Sequence, residues 1–98
     1  MDLKASRPAF LKVIKTKNMR PSVIVLDTEG QMLFVGTKEG LLVIFDTSKT
    51  NFVMLHYIRL IKPGSKNFIA QMDLDKTKNI LMCRMKPSNS ILCIQLIQ

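Results

Sequence analysis

The sequence has few of the residues that cross-link small folds through disulfides or that commonly act in catalysis. Among its 98 residues there are two cysteines, one histidine, one tyrosine and no tryptophan. Two cysteines do not form a disulfide framework, which favours a cytoplasmic location, or a nuclear one, over a secreted one. No apolar run approaches the ~18 residues of a membrane helix, and residues 1–8 lack the apolar centre of a secretory signal. We therefore expect one domain, residues 1–98, without a membrane span.

Acidic residues are also scarce: there are seven, against fifteen Lys and Arg, which gives a net charge of +8. The excess lies in residues 1–20, with six basic and one acidic residue, and in residues 59–86, with seven and two. Such an excess favours contact with nucleic acid, acidic proteins or anionic membrane surfaces. Lysines that solubilise a strand-rich surface and protect its edges would give the same composition. The sequence leaves both interpretations open.

An internal repeat is the most informative feature that is present. Residues 10–15 match residues 57–62 class for class, and two further pairs line up, 33–36 with 81–84 and 41–46 with 91–96. The offsets between them are 47, 48 and 50 residues. A repeat of roughly 40–50 residues that consists of strands is typical of β-propeller blades.

Strand signals cover most of the chain, and no stretch has the apolar spacing of a helix. Runs of β-branched and apolar residues, separated by turn residues, predict strands at 22–27, 32–37, 41–46, 52–61, 68–73, 80–85 and 90–97. The prediction is an all-β fold of two antiparallel four-stranded units. Residues 22–64 form the first unit, and residues 65–98 form the second, which lacks its own fourth strand. Residues 9–21 supply an outer strand and a basic connector, and this outer strand is placed to complete the second unit.

Glycines mark the turns of the first unit. Gly40, after Lys38 and Glu39, belongs to the residue class that tight hairpin turns prefer. Gly30 is placed to take the positive φ of the turn between the first two strands of this unit.

Residues 23–46, VIVLDTEGQMLFVGTKEGLLVIFD, resemble a WD-repeat blade. The positions that carry the resemblance are Gly30, Gly36, Glu39, Gly40, Phe45 and Asp46. Phe45 stands for the family's Trp and Glu39 for its hairpin Asp, and the Gly-His dipeptide before the first strand is missing. Residues 68–96 resemble the family only through the repeat, with Asn89 at the hairpin glycine and Gln95-Leu96 at the Trp-Asp position. The resemblance implies two propeller-type blades, too few to close a ring of about 4–8.

Blades of this type are apolar on both faces and are covered by neighbouring blades, so a short array leaves faces open. Open apolar faces indicate an interaction surface. The resemblance therefore implies a non-catalytic protein–protein interaction or scaffold module. It would act as a subunit or fragment of a larger assembly, and other protein subunits or self-association would cover its faces.

Residues capable of catalysis or metal binding are isolated. His56 has no nucleophile motif near it, which favours a structural role. Cys83 and Cys93 are expected nearly opposite each other in one hairpin, as a cross-strand disulfide, half a metal site or, as we favour, buried free thiols. Asp73 and Asp75, with Asp27 and Glu29 as repeat counterparts, are candidates for a cation or for acid–base work, although such residues more often bond their own backbone. We predict no catalytic, metal-binding or cofactor residues, and an enzyme fragment is the weakest of the hypotheses.

Basic residues recur at the outer strand and its exit loop in both units. These candidates for binding an anionic partner are Lys12, Lys15, Lys17, Arg20, Arg59, Lys62 and Lys66. A repeated basic stripe would follow a phosphate backbone. With five Phe and one Tyr, few aromatic residues are available to stack on bases. The alternative function is therefore a subunit that binds RNA or ribonucleoprotein through the backbone.

Overall fold

A computed structural model describes residue 14, residues 18–49 and residues 51–97. These ranges contain no helix and seven strands. The strands are β1 (Pro21–Asp27), β2 (Met32–Thr37), β3 (Leu41–Asp46), β4 (Val53–Arg59), β5 (Phe68–Asp75), β6 (Ile80–Lys86) and β7 (Ser90–Gln95). They form two antiparallel sheets, β1-β2-β3-β4 and β5-β6-β7, which we call the first sheet and the second sheet. The all-β prediction is confirmed.

The predicted limits hold for β2 and β3, and the other five strands differ from the prediction by one or two residues at one or both ends. The strand expected at residues 52–61 ends at Arg59, because the next two amides, of Leu60 and Ile61, both donate to the carbonyl of Gly40. The strand expected at residues 9–15 lies, apart from Ile14, outside the described residues. The described part of the second sheet has three strands rather than the four of the two-unit prediction.

The two sheets pack against each other through one shared core. We call the face of each sheet that meets the other its inner face, and the opposite side its outer face. The fully buried centre combines Phe34 and Leu42 of the first sheet with Ile69 and Leu81 of the second. Burial of large apolar side chains such as these contributes about 1.5–3 kcal/mol each. The cluster also includes Ile44, Ile61, Met72 and Cys83.

The sheets approach most closely where β1 and β2 meet β5. A Cβ atom on Gly36 would lie 2.8 Å from Ile69 Cγ2 and 2.9 Å from Val23 Cγ1, so this contact requires glycine. The Ser22 hydroxyl donates to the carbonyls of Gly36 and Ile69. The beginnings of β1 and β5 therefore lie side by side, and corresponding ends of the two sheets point the same way.

The outer faces of the two sheets differ. On the first sheet, Val35, Val43 and Phe45 form a second buried cluster, against which Ile14 and Met19 pack. Strands β2 and β3 are therefore buried on both faces, which explains their continuous apolar sequence. The second sheet alternates between buried and exposed residues, so its outer face is open.

Strand pairing repeats along the chain. Asp27 pairs with Met32 as Asp75 pairs with Ile80, and a β-bulge interrupts β1 at Ser22 and β5 at the equivalent position, all at an offset of 48. The third strands are related by 49 residues rather than 50, because only one extra residue separates the paired positions in the β6–β7 hairpin. Because a slip of one residue exchanges the two faces of a strand, the difference between 49 and 50 decides which residues of β3 and β7 occupy equivalent faces.

Candidate functional site

The β2–β3 hairpin holds a compact group of charged residues. The backbone amide of Arg20 donates to Glu39 Oε1 at 2.7 Å, and its guanidinium Nε donates to Glu39 Oε2 at 2.6 Å. These contacts, the amide first, hold the pKa of Glu39 below its ordinary value. The Arg59 guanidinium donates to the backbone carbonyls of Glu39 at 3.3 Å and Ile61 at 3.4 Å. Two of the predicted anion-binding residues thus brace the end of the first sheet.

Gly40 and Gly30 serve their turns in different ways. Gly40 has a φ of 85°, and a Cβ atom there would collide with Ile61. The prediction of a positive φ at Gly30 is wrong, because Gln31 takes that conformation, with a φ of 54°. Gly30 is required for space, since a Cβ atom would meet the carboxylate of Asp27. The equivalent of Gly40 in the second sheet is Asn89, with a φ of 61°.

Phe45 and Asp46, at the end of β3, have different roles. Phe45 packs in the outer cluster of the first sheet. Asp46 accepts a hydrogen bond from the amide of Ser48 at 2.8 Å, which lowers the pKa of Asp46. By strand pairing, the equivalents in the second sheet are Ile94 and Gln95, so the expected alignment with Gln95-Leu96 is wrong by one residue.

Basic side chains gather at the end of the two sheets where the β2–β3 and β6–β7 hairpins lie. Strand pairing brings together the start of β1, the end of β2 and the end of β4, while Lys86 pairs with Phe68 at the same end of the second sheet. The loop between β4 and β5 runs along this end and adds two exposed lysines. We call this group the basic rim: Arg20, Lys38, Arg59, Lys62, Lys66 and Lys86. Within the described ranges, Glu39 is the one acidic residue at this end.

Four of the seven predicted anion-binding residues lie on the basic rim. Lys12, Lys15 and Lys17 lie outside the described residues. Lys38 and Lys86 were not among the predicted residues, because they lie in the β2–β3 hairpin and at the end of β6 rather than on an outer strand or its exit loop. The offset of 48 residues between these two lysines is the signal that would have placed them at the same end.

The carboxylates at the opposite end bond their own turns. Asp27, whose side chain is 4% exposed, accepts hydrogen bonds from the Gly30 amide at 3.0 Å and Lys76 Nζ at 2.7 Å. These contacts, the amide first, lower the pKa of Asp27. Asp75 accepts a hydrogen bond from the amide of Thr77. Asp75 is therefore the counterpart of Asp27, which corrects the expected pairing of Asp73 and Asp75 with Asp27 and Glu29. No group of three or more potential metal ligands occurs in the described ranges.

The two cysteines face opposite sides of the second sheet. Cys83 pairs with Leu92, and Cys93 pairs with Met82, so the thiols are offset by one position. Cys83 is fully buried and Cys93 is exposed, and both are free. The alternative of a cross-strand disulfide is therefore wrong, and only Cys83 is the buried thiol that was expected. Burial raises the pKa of the Cys83 thiol to about 11.

An apolar cleft of about 490 Å³ separates the outer strands of the two sheets. Phe34, Leu42 and Ile44 line the wall that belongs to the first sheet, and Ile94 and Leu96 line the opposite wall. His56, which is exposed on β4, also lines this cleft. The cleft exists because the inner face of β4 has no strand opposite it in the described part of the second sheet.

Strand β4 is an exposed apolar edge. All seven of its residues are exposed, and its sequence is VMLHYIR. Tyr57 is 64% exposed and Val53 is 53% exposed. Within the described part of the chain β4 pairs only with β3, so its second row of backbone N–H and C=O groups has no strand partner. Of the features that commonly protect such edges, the strand has a bulge and one charged residue, Arg59 at its end, but it has no Lys and no Pro.

The chain matches no protein-family model, and no curated protein or solved structure resembles it at a significant level. Among the described residues, no helix has the length and apolar character that crossing a membrane requires.

Proposed function

We propose that this chain is a non-catalytic protein–protein interaction module of WD-repeat type that works as a subunit or fragment of a larger assembly. The observation that carries this proposal is β4, a seven-residue edge strand with every residue exposed. A long apolar edge of this kind either pairs with a strand of another protein or leads to aggregation. The repeated strand register of the two sheets supports the WD-repeat type.

The test is the native mass of the purified chain, measured by light scattering with and without nuclease and high salt. Without its partner, the chain is expected to associate through β4, and that association should survive both treatments because it is apolar. Leu55→Lys combined with Tyr57→Lys should abolish the association, since lysines on an edge strand oppose pairing. Thr77→Lys combined with Met82→Lys is the matched control, because it adds the same charge to exposed positions at a turn and on the central strand of the second sheet. A wild-type chain that stays monomeric and binds no apolar dye would contradict the proposal.

The basic rim favours a second candidate, a subunit that binds the phosphate backbone of RNA. Six basic side chains and one acidic side chain lie at this end of the described structure, and that acidic side chain is paired with Arg20. The probe is a fluorescent single-stranded RNA oligonucleotide. Replacing Lys38 and Lys86 with Ser should weaken binding about tenfold at low salt and flatten its salt dependence by about one to two released ions.

The control for this experiment is at the other end of the sheets. Lys49→Ser combined with Lys78→Ser also removes positive charge from exposed positions, but away from the rim. If this variant and the rim variant bind RNA equally, the contact follows net charge alone and the rim is not a site.

A further inference from the structure

The outer face of the first sheet repeats the face of the second sheet that is already docked. At the offset of 48 residues, Ile24 and Leu26 on β1 correspond to Met72 and Leu74 on β5. The first sheet covers Met72, which is 4% exposed, and partly covers Leu74. Ile24 and Leu26 are 63% and 58% exposed. Ile24 and Leu26 are therefore exposed, although their counterparts on the second sheet are covered or partly covered.

A second observation comes from the segment before each sheet. Ile61, which follows β4, is buried in the shared core against the second sheet. Ile14 is its repeat counterpart at an offset of 47, and it packs on the outer cluster of the first sheet. Ile14 packs against the cluster of Val35, Val43 and Phe45. The repeat counterparts of these three residues are Cys83, Leu92 and Ile94, which belong to, or pack against, the core cluster that contains Ile61. Ile14 thus has, on the outer face of the first sheet, the place that Ile61 has in the core between the two sheets.

The interface between the two sheets shows which residues a sheet needs in order to pack on the outer face of the first sheet. The inner face of the first sheet covers β5 with Val23 and Val25, and Gly36 allows Ile69 to come close. The outer face of the second sheet has Gln71, Asp73 and Arg84 at the corresponding positions. Arg84 would place a long charged side chain where Gly36 leaves room. A second copy stacked through its second sheet is therefore not the partner.

Residues 1–13 are also too few to supply a sheet of the size of β5 to β7, which spans residues 68–95. We propose that the outer face of the first sheet, at Ile24 and Leu26, docks an antiparallel β-sheet that lies outside residues 1–98. The contacting face of that sheet is apolar and has a glycine at the closest approach. This inference rests on the proposed interaction function and names its surface and the kind of partner.

A tandem chain supplies such a partner sheet as a probe. Residues 1–64 are placed before residues 17–98, which preserves the spacing between sheets because Gly64 and Ser65 correspond to residues 16 and 17. The inner face of the added first sheet then meets the outer face of the second copy. Since Lys76 corresponds to Thr28, the second copy also carries Thr28→Lys, so that Asp27 of the added sheet keeps a cation.

The readout is the effect of Ile24→Thr combined with Leu26→Thr on the melting temperature. In the second copy these positions should be docked, and the expected fall is more than about 10 °C. In the added copy they stay exposed, and the expected change is less than about 3 °C. Threonine keeps the strand preference, so the same substitution serves as its own control. Small changes in both copies would overturn the proposal.

A second measurement on the natural-length chain keeps the proposal testable if the tandem chain does not fold. In the Leu55→Lys, Tyr57→Lys background, in which β4 binds less of an apolar dye, Ile24→Thr combined with Leu26→Thr should lower the fluorescence of the dye that remains bound. Met82→Thr combined with Ile91→Thr, on the outer face of the second sheet, should leave it unchanged. Unchanged fluorescence in the first variant would overturn the proposal. If Leu55→Lys with Tyr57→Lys still abolishes association, the interaction function stands and only this surface is rejected.

Discussion

Two glycines with nearly the same φ angle differ in what surrounds them. Gly40 has a φ of 85° and Gly64 a φ of 86°, but only Gly40 has a neighbour, Ile61, where a Cβ atom would lie. Gly64→Ala should therefore report backbone strain alone, about 1–2 kcal/mol. Gly40→Ala should lower the free energy of unfolding by at least about 1 kcal/mol more, because Ile61 has to move. Urea denaturation measures both, and equal losses would mean that the Ile61 contact does not constrain the hairpin.

The Asp27–Lys76 ion pair ties the stability of the chain to pH. In the folded chain the Gly30 amide and Lys76 hold the pKa of Asp27 below its ordinary value. Stability from the ionised form is therefore fully present above the unfolded pKa, about 3.9, and is lost as pH falls through the lower folded value.

Lys76→Met leaves the buried Asp27 carboxylate without its cation. The expected loss in free energy of unfolding is about 1–3 kcal/mol at pH 7. This loss should shrink below about pH 4, where Asp27 of the variant protonates. Urea denaturation at pH 7 and pH 3 measures the difference. Lys78→Met, at an exposed position nearby, should show no such pH dependence, and a loss of equal size at both pH values in Lys76→Met would contradict the argument.

Equivalent strands can have unequal importance for stability. Strands β1 and β5 share their pairing register and their bulge, yet Met72 on β5 is buried and its counterpart Ile24 on β1 is exposed. Met72→Ala should lower the free energy of unfolding by about 2–5 kcal/mol. Ile24→Ala should lower it by no more than about 1 kcal/mol. Chemical denaturation of the two variants compares them directly, and similar losses would mean that β1 is covered in solution.

The strands themselves could be predicted because their apolar runs and their turn residues agree. The Lys38-Glu39-Gly40 turn and the apolar run after it predicted the β2–β3 hairpin. The alignment of β7 could not be predicted, because residue class does not distinguish an offset of 50 from one of 49. Only backbone pairing decides that Ile94, and not Gln95, matches Phe45.

At the scale of the whole molecule, positive charge is concentrated at one end of the sheets. The basic rim lies at that end, whereas the other end mixes the carboxylates of Asp27, Asp46 and Asp75 with Lys49, Lys76 and Lys78. Part of the rim could be predicted, because the repeat places Arg59 and Lys62 near the connection between the sheets. The concentration of positive charge at one end could not be predicted, since it depends on the antiparallel pairing that brings Lys38 and Lys86 together.

The opposite placement of the two cysteines has a consequence for handling the protein. Cys93 offers the one accessible thiol of the folded chain, because Cys83 is enclosed in the core. Air oxidation would therefore join two molecules through Cys93, with their second sheets back to back, and would block the outer face of that sheet. The same position allows a single dye or cross-linker to be attached without disturbing the core. Reaction of the second thiol then reports the opening of the whole fold.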